Sequence, residues 1–193
     1  MITSRNDDLL LGGKDNNTRE VARAVAPGSR VVYVDYDPVV LAHARALLIS
    51  REAGATEYID ADLRDTDTIL EQASQTLDFS RPVAIMLIAI LHAIGDVDPY
   101  QIVAKLMDAV PPGSHLVLSH VASDIDPEQI AEATAPQPAQ PPAFHAPRSC
   151  SGAALLRGAG VAGARGGPGR GMAGLGTGDP VPVGHVGGVG RKP

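Results

Sequence analysis

The run Val83–Leu91, VAIMLIAIL, constrains this chain more than any other stretch of it. Consecutive apolar residues without alternation suit a strand covered on both faces, the situation of a parallel sheet flanked by helices. A membrane-spanning helix needs about 20 such residues, so the run is too short to cross a bilayer. Its neighbours fit the buried strand. Upstream, Asp65–Leu77 carries Ile69, Leu70 and Ala73 at helical spacing. Downstream, Asp98 and Pro99 open a helix, with Gln101 completing a capping box and Ile102, Val103, Leu106, Met107 and Val110 forming its apolar face. Pro111-Pro112-Gly113 breaks that helix, and Ser114–His120 (SHLVLSH) reads as the next strand.

The same alternation extends towards the N-terminus. Asn17 and Glu20 form a capping-box pattern that predicts a helix over 17–26, stopped by Pro27-Gly28. Arg30–Asp35 (RVVYVD) is β-branched and reads as a strand. Asp37 as N-cap and Pro38 at the first helical position begin a helix with Val40, Leu41, Ala44, Leu47 and Leu48 on one face, ended by Gly54. Thr56–Ile59 is a short strand, and a further helix is expected over Pro127–Thr134. Strands alternating with helices over 17–120 predict an α/β fold with a parallel sheet. The strand central to such a sheet has no clear candidate. Leu9–Leu11 is the nearest, and three residues span only about 10 Å, so the sheet is expected to be incomplete.

Composition changes near residue 135. Residues 136–193 hold 15 of the 21 glycines and 9 of the 16 prolines, a low-complexity level without a repeat. Too few large apolar residues remain there to offset an ordering cost of roughly 1–2 kcal/mol per residue. The expected division is an N-terminal segment 1–16, a Rossmann-like domain 17–135, and a disordered tail 136–193. The tail carries a net charge of +5 and residues 1–135 a net of −11. An acidic body argues against a nucleic-acid-binding face. The single Cys150 excludes a disulfide framework and a cysteine zinc site. Residues 1–30 show no signal-peptide pattern, so the cytoplasm is the expected compartment.

Ligands of open parallel sheets bind beyond the carboxyl ends of the strands. Asp35, Asp62, His92 and His120 stand there. A carboxylate at Asp35 has two oxygens for the two hydroxyls of a ribose. Alternatively, Asp35 belongs to the turn before the helix capped by Asp37. Asp62 either accepts from an exocyclic amine of adenine or serves the turn in a stretch that also holds Asp60, Asp65 and Asp67. His92 and His120 lack a neighbouring cysteine or carboxylate pair, which favours hydrogen-bonded structural roles over metal ligation, and no metal is expected. No G-x-S-x-G elbow is present. Gly12-Gly13-Lys14-Asp15-Asn16 precedes the first helix, where backbone amides can approach a ligand, although on spacing alone a plain loop is the better account.

Several stretches together resemble the bacterial S-adenosyl methyltransferase family formerly known as a domain of unknown function. They are NNTREVARAVAPGSRVVYVDYDPVVLAHARALL, EYIDADLRD, RPVAIMLIAILHAIGD and PPGSHLVLSH, with DDLLLGGKDN similar to the N-terminal signature. The resemblance covers roughly the first 130 residues. It implies a class I methyltransferase fold, S-adenosylmethionine as cofactor and an unidentified small molecule as methyl acceptor. By residue, Asp35 matches the ribose-binding acid, Asp62 and Leu63 the adenine-side loop, and Leu87–His92 the strand facing the methyl donor. Gly12, Gly13, Lys14 and Asp15 would line the site from the N-terminal segment.

Two departures shape the expectations. The family has several tens of residues, including the first strand and its glycine loop, between the GGKDN signature and the helix that begins here at Asn17. The tail lacks the family's last strands and resembles a translation in a shifted frame, returning to a family-like terminus at GGVGRKP. Weak donor binding and no turnover are therefore expected. Two alternatives stand beside the methyltransferase reading. One is a nucleotide-binding module without catalysis, for which a G-x-G-x-x-G before residue 30 is missing. The other is an inert product of a disrupted gene.

Overall fold

A computed structural model describes residues 2–4, 18–47, 55–91, 94, 97–121, 160, 162–168 and 185–193. Its elements alternate as the apolar periodicity dictates. Strand β1 is Ile2–Ser4, helix α1 Thr18–Val25, β2 Val31–Asp35, α2 Pro38–Leu47, β3 Thr56–Asp60, α3 Thr66–Ser74, β4 Ala84–Ile88, α4 Pro99–Asp108 and β5 His115–Val121. Two further strands follow, β6 Ala162–Pro168 and β7 His185–Arg191. The helix expected over Pro127–Thr134 lies outside the described residues.

Side-chain caps start three of the helices. Asp37 Oδ1 accepts the Val39 N–H at 2.8 Å, and Asp98 Oδ1 accepts that of Tyr100 at 2.9 Å, each with proline next in sequence. Asp65 Oδ1 accepts the Thr68 N–H at 3.3 Å for α3. Each bond satisfies a donor that the first helical turn leaves without a partner. After α1, the Ser29 hydroxyl donates to Ala26 O at 2.7 Å, closing the turn at Pro27-Gly28.

The seven strands form one sheet in the order β3-β2-β1-β4-β5-β7-β6. Strands β1 to β5 are mutually parallel where they pair, and β7 runs antiparallel to both β5 and β6. The expectation of an incomplete sheet is thereby overturned. The middle position is filled by Ile2–Ser4, not by Leu9–Leu11, which lies outside the described residues. Ile2 and Thr3 pair with Tyr33 and Val34 on one side, and Ile2, Thr3 and Ser4 with Met86, Leu87 and Ile88 on the other. Hydrogen bonding explains the choice. Strands β2 and β4 both present inner edges whose amides need partners, and the β-branched Ile2 and Thr3 suit a strand.

The disordered tail is likewise corrected for the two stretches described. Residues of β7 pair along all of β5, from His115 opposite Arg191 to Val121 opposite His185. A ladder is made by main-chain groups, so a glycine-rich segment can extend a sheet without large side chains. Polar contacts fix its end. Lys192 donates its N–H to Ser114 O at 2.8 Å, and its carbonyl accepts from Gly113 N at 2.9 Å. Gly113 has φ +88°, and a β-carbon there would stand 3.4 Å from Pro82 Cγ and 3.5 Å from Arg191 Nη2. The sheet thus joins segments from all three of the expected divisions, 1–16, 17–135 and 136–193.

Period-two alternation sends side chains to opposite faces of the sheet. On one face, Val32, Val34, Ile59, Ile85, Leu87, Leu116 and Leu118 pack with Ile69 and Ala73 of α3 and Ile102, Val103, Leu106 and Met107 of α4. On the other, Val31, Tyr33, Tyr58 and Leu41 form a smaller cluster with Met86 against it. Tyr33 and Tyr58 stack there with ring centroids 5.1 Å apart. Strand β4 is not covered equally on both faces as the unbroken VAIMLIAIL run predicts. Ile85 and Leu87 are buried, Met86 and Ile88 half-buried, and Ala84 exposed. Helix α1, whose Thr18 and Ala22 line a cavity together with Ala84 and Met86, has no buried residue and leaves Val25 85% exposed.

Candidate functional site

The order of the sheet locates the site. The chain runs outward from β1 to β2 and β3 on one side, then crosses to β4 and β5 on the other. Such a reversal leaves a crevice beyond the carboxyl ends of the central strands, because the connections depart in opposite directions. Ser4, Asp35, Asp60 and Ile88 end the strands around it.

Asp35 closes β2 opposite Asp60 of β3, and its carbonyl accepts the Ala61 N–H at 3.1 Å. Its Oδ1 accepts the Asp37 N–H at 2.9 Å. The turn role is therefore real. The residue is half-buried, and a carboxylate offers about four acceptor positions in all. Tyr36, 63% exposed, follows the acid in sequence and was not singled out from the sequence. The missed signal was a large aromatic directly after a strand-end acid.

Asp62 is committed more heavily. Its Oδ1 accepts both the Arg64 N–H and Nε–H at 2.8 Å, and its Oδ2 accepts from Arg64 Nη2. The side-chain hydrogen bond from Arg64 holds the Asp62 carboxyl below its ordinary pKa, with burial opposing. The group is an ionised turn carboxylate with an arginine folded onto it. Leu63 points its side chain into the core and is only 6% exposed, so its main chain alone remains for the crevice. Register therefore brings Asp35, Asp62 and Leu63 to adjoining strand ends. Gly12, Gly13, Lys14, Asp15 and His92 lie outside the described residues, as does the side chain of His120.

The far side of the crevice has a feature that no motif announced. Ala89, the residue after β4, has φ +49°, a conformation costly for a residue with a β-carbon. Its N–H donates to Ser119 O at 3.1 Å and to Ser119 Oγ at 3.0 Å. Leu91 and Ile94 beyond it are buried in the main core.

A cavity of about 580 Å³ opens elsewhere. Its lining includes Gly28, Arg30 and Val31 at the start of β2 and Pro82, Val83 and Ala84 at the start of β4. It lies at the amino ends of the strands, the opposite pole from the crevice. Among the described residues, no three His, Cys, Asp or Glu side chains gather as a metal site. No described helix is long and apolar enough to cross a membrane.

Comparison with known proteins is consistent with this geometry. The S-adenosyl methyltransferase family matches residues 12–154. A crystal structure of a DUF574 family protein from Streptomyces avermitilis is 32% identical, with a TM-score of 0.73 over 93% of this chain and 71% of that chain. A candidate methyltransferase from Thermobifida fusca is also 32% identical, with a TM-score of 0.68 over 91% of this chain and 68% of its own. At 13% identity, a SAM-dependent methyltransferase from Methanosarcina mazei shares the fold, with a TM-score of 0.56 over 89% of this chain and 86% of that chain. No curated protein matches the sequence.

Proposed function

This chain belongs to the S-adenosyl methyltransferase family, and from that premise we propose that it binds S-adenosylmethionine at the crevice and passes the methyl group to a nucleophilic atom of a small molecule. The observation that carries the reading is Asp35, an acid at the end of the strand beside the central one, with an exposed aromatic next to it. Its carboxylate accepts the two ribose hydroxyls while keeping its turn bond to Asp37. The Tyr36 ring offers a flat apolar surface to a purine, a contact worth about 1–3 kcal/mol where bases stack on aromatic side chains. Asp62 and the main chain at Leu63 border the adenine side, and Arg64 keeps the Asp62 carboxylate ionised as an acceptor. Gly12 to Asp15 and His92 enter on family resemblance alone.

When bound, the cofactor supplies an electrophilic methyl group on a sulfonium. The protein's part is to hold the nucleoside end, orient the donor and exclude water from the transfer. The expectation of weak binding rested on the missing first strand with its glycine loop and on the tail; β1 supplies the strand position. Calorimetric titration of the purified chain with S-adenosylmethionine, S-adenosylhomocysteine and NADH tests the proposal. Saturable binding of the two sulfur compounds supports it. Preference for NADH identifies a nucleotide-binding module instead, and no binding by any of the three identifies an inert chain.

A further inference from the structure

Ser119 stands on β5, one strand away from the chain segment that leaves β4 at the crevice. It pairs in register with Ile88, the last residue of β4, and with Gly187 of β7 on its other side. Both of its oxygens converge on one donor, the N–H of Ala89. Ala89 is the described non-glycine residue with positive φ. An alanine in that region leaves it readily for an ordinary conformation, because its β-carbon crowds the backbone. Here two constraints oppose the escape. Ser119 holds the N–H from one side, and burial of Leu91 and Ile94 fixes the chain beyond. Strain retained at a ligand crevice directs the segment that follows it.

We propose that Ser119 is a positioning residue for donor binding: its hydroxyl, on the Ala89 N–H, sets the direction in which Ile90 and Leu91 leave β4 along the crevice. The inference rests on the donor-binding reading above. Without the hydroxyl, the Ser119 carbonyl alone holds the N–H, and Ala89 relaxes towards an ordinary φ. The main chain between Ala89 and the buried Leu91 then shifts relative to Asp35 across the crevice. Glycine at position 89 adopts positive φ without strain, so the hydroxyl becomes dispensable in that background.

A double-mutant cycle tests this. S-adenosylhomocysteine is titrated calorimetrically into the parent chain, Ser119→Ala, Ser119→Thr, Ala89→Gly and the Ala89→Gly/Ser119→Ala pair, well below each melting temperature. Ser119→Ala is expected to weaken binding about tenfold, the scale of one lost hydrogen bond. Ser119→Thr, which keeps the hydroxyl on a residue suited to a strand, stays within about threefold of the parent. In the Ala89→Gly background the same serine change costs less than about threefold. Equal binding by Ser119→Ala and the parent overturns the proposal, as does an equal loss in both backgrounds. A parent that binds no S-adenosylhomocysteine overturns the donor reading and this inference with it, and the parent titration alone distinguishes that failure from the others.

Discussion

Lys192 offers the sharpest test of whether the glycine-rich C-terminus is part of the fold. Its ammonium donates to Met107 O and Val110 O, both at 2.8 Å, at the end of α4. The last carbonyls of a helix lack intrahelical partners, and the macrodipole places partial negative charge there. A hydrogen bond from a charged group contributes about 1.5–3 kcal/mol. The two bonds share one ammonium on a half-buried side chain, so solvent screening puts their sum near the lower end, about 2 kcal/mol. Lys192→Met keeps the aliphatic stem and removes the charge, which separates capping from packing. For a chain of this size, 2 kcal/mol lowers Tm by about 4–8 °C. Thermal unfolding followed by circular dichroism measures it, with Lys192→Ala expected to fall slightly further. A Tm within about 1 °C of the parent for both variants would falsify the docking of this terminus against α4.

Three further outcomes follow from the geometry. Asp35→Ala should weaken S-adenosylhomocysteine binding by about 1.5–3 kcal/mol, whereas Asp37→Ala should cost about 1 kcal/mol of stability through its lost N-cap. Titration and melting of both variants check this, and equal donor binding by Asp35→Ala and the parent removes Asp35 from the site. Tyr58 is 8% exposed, and its hydroxyl has no hydrogen-bond partner among the described residues. Tyr58→Phe should therefore stabilise the fold by up to about 1 kcal/mol, read by denaturant unfolding, and a clear loss would point to an ordered partner for the hydroxyl. Asp62 has its pKa depressed by Arg64 from an ordinary 3.8, so its contribution is present above that value and is lost as pH falls through the lower folded value. Arg64→Gln should return the Asp62 pKa towards 3.8, followed by NMR of the carboxyl carbon, while stability at neutral pH changes by less than about 1 kcal/mol because the pair is exposed.

The parts of this fold legible in the sequence are those decided by neighbours in the chain. The strands at Val31–Asp35 and Ala84–Ile88 and the helices at Pro38, Thr66 and Pro99 follow from local periodicity and from aspartates that cap the next turn. The placement of Asp35 and Asp62 at strand ends was legible because the strands themselves were. What tertiary structure decided is pairing between distant segments. Ile2–Ser4 is too short to declare itself and becomes a strand only because β2 and β4 leave two edges for it to fill. Residues 185–191 carry no apolar period, yet they extend the sheet, because β5 presents a seven-residue edge and hydrogen bonding there depends on backbone groups, not on side chains. Ser119 was invisible for the same reason. Its significance lies in the N–H of a residue 30 positions earlier in the chain, and only the stacking of β4 beside β5 brings the two together.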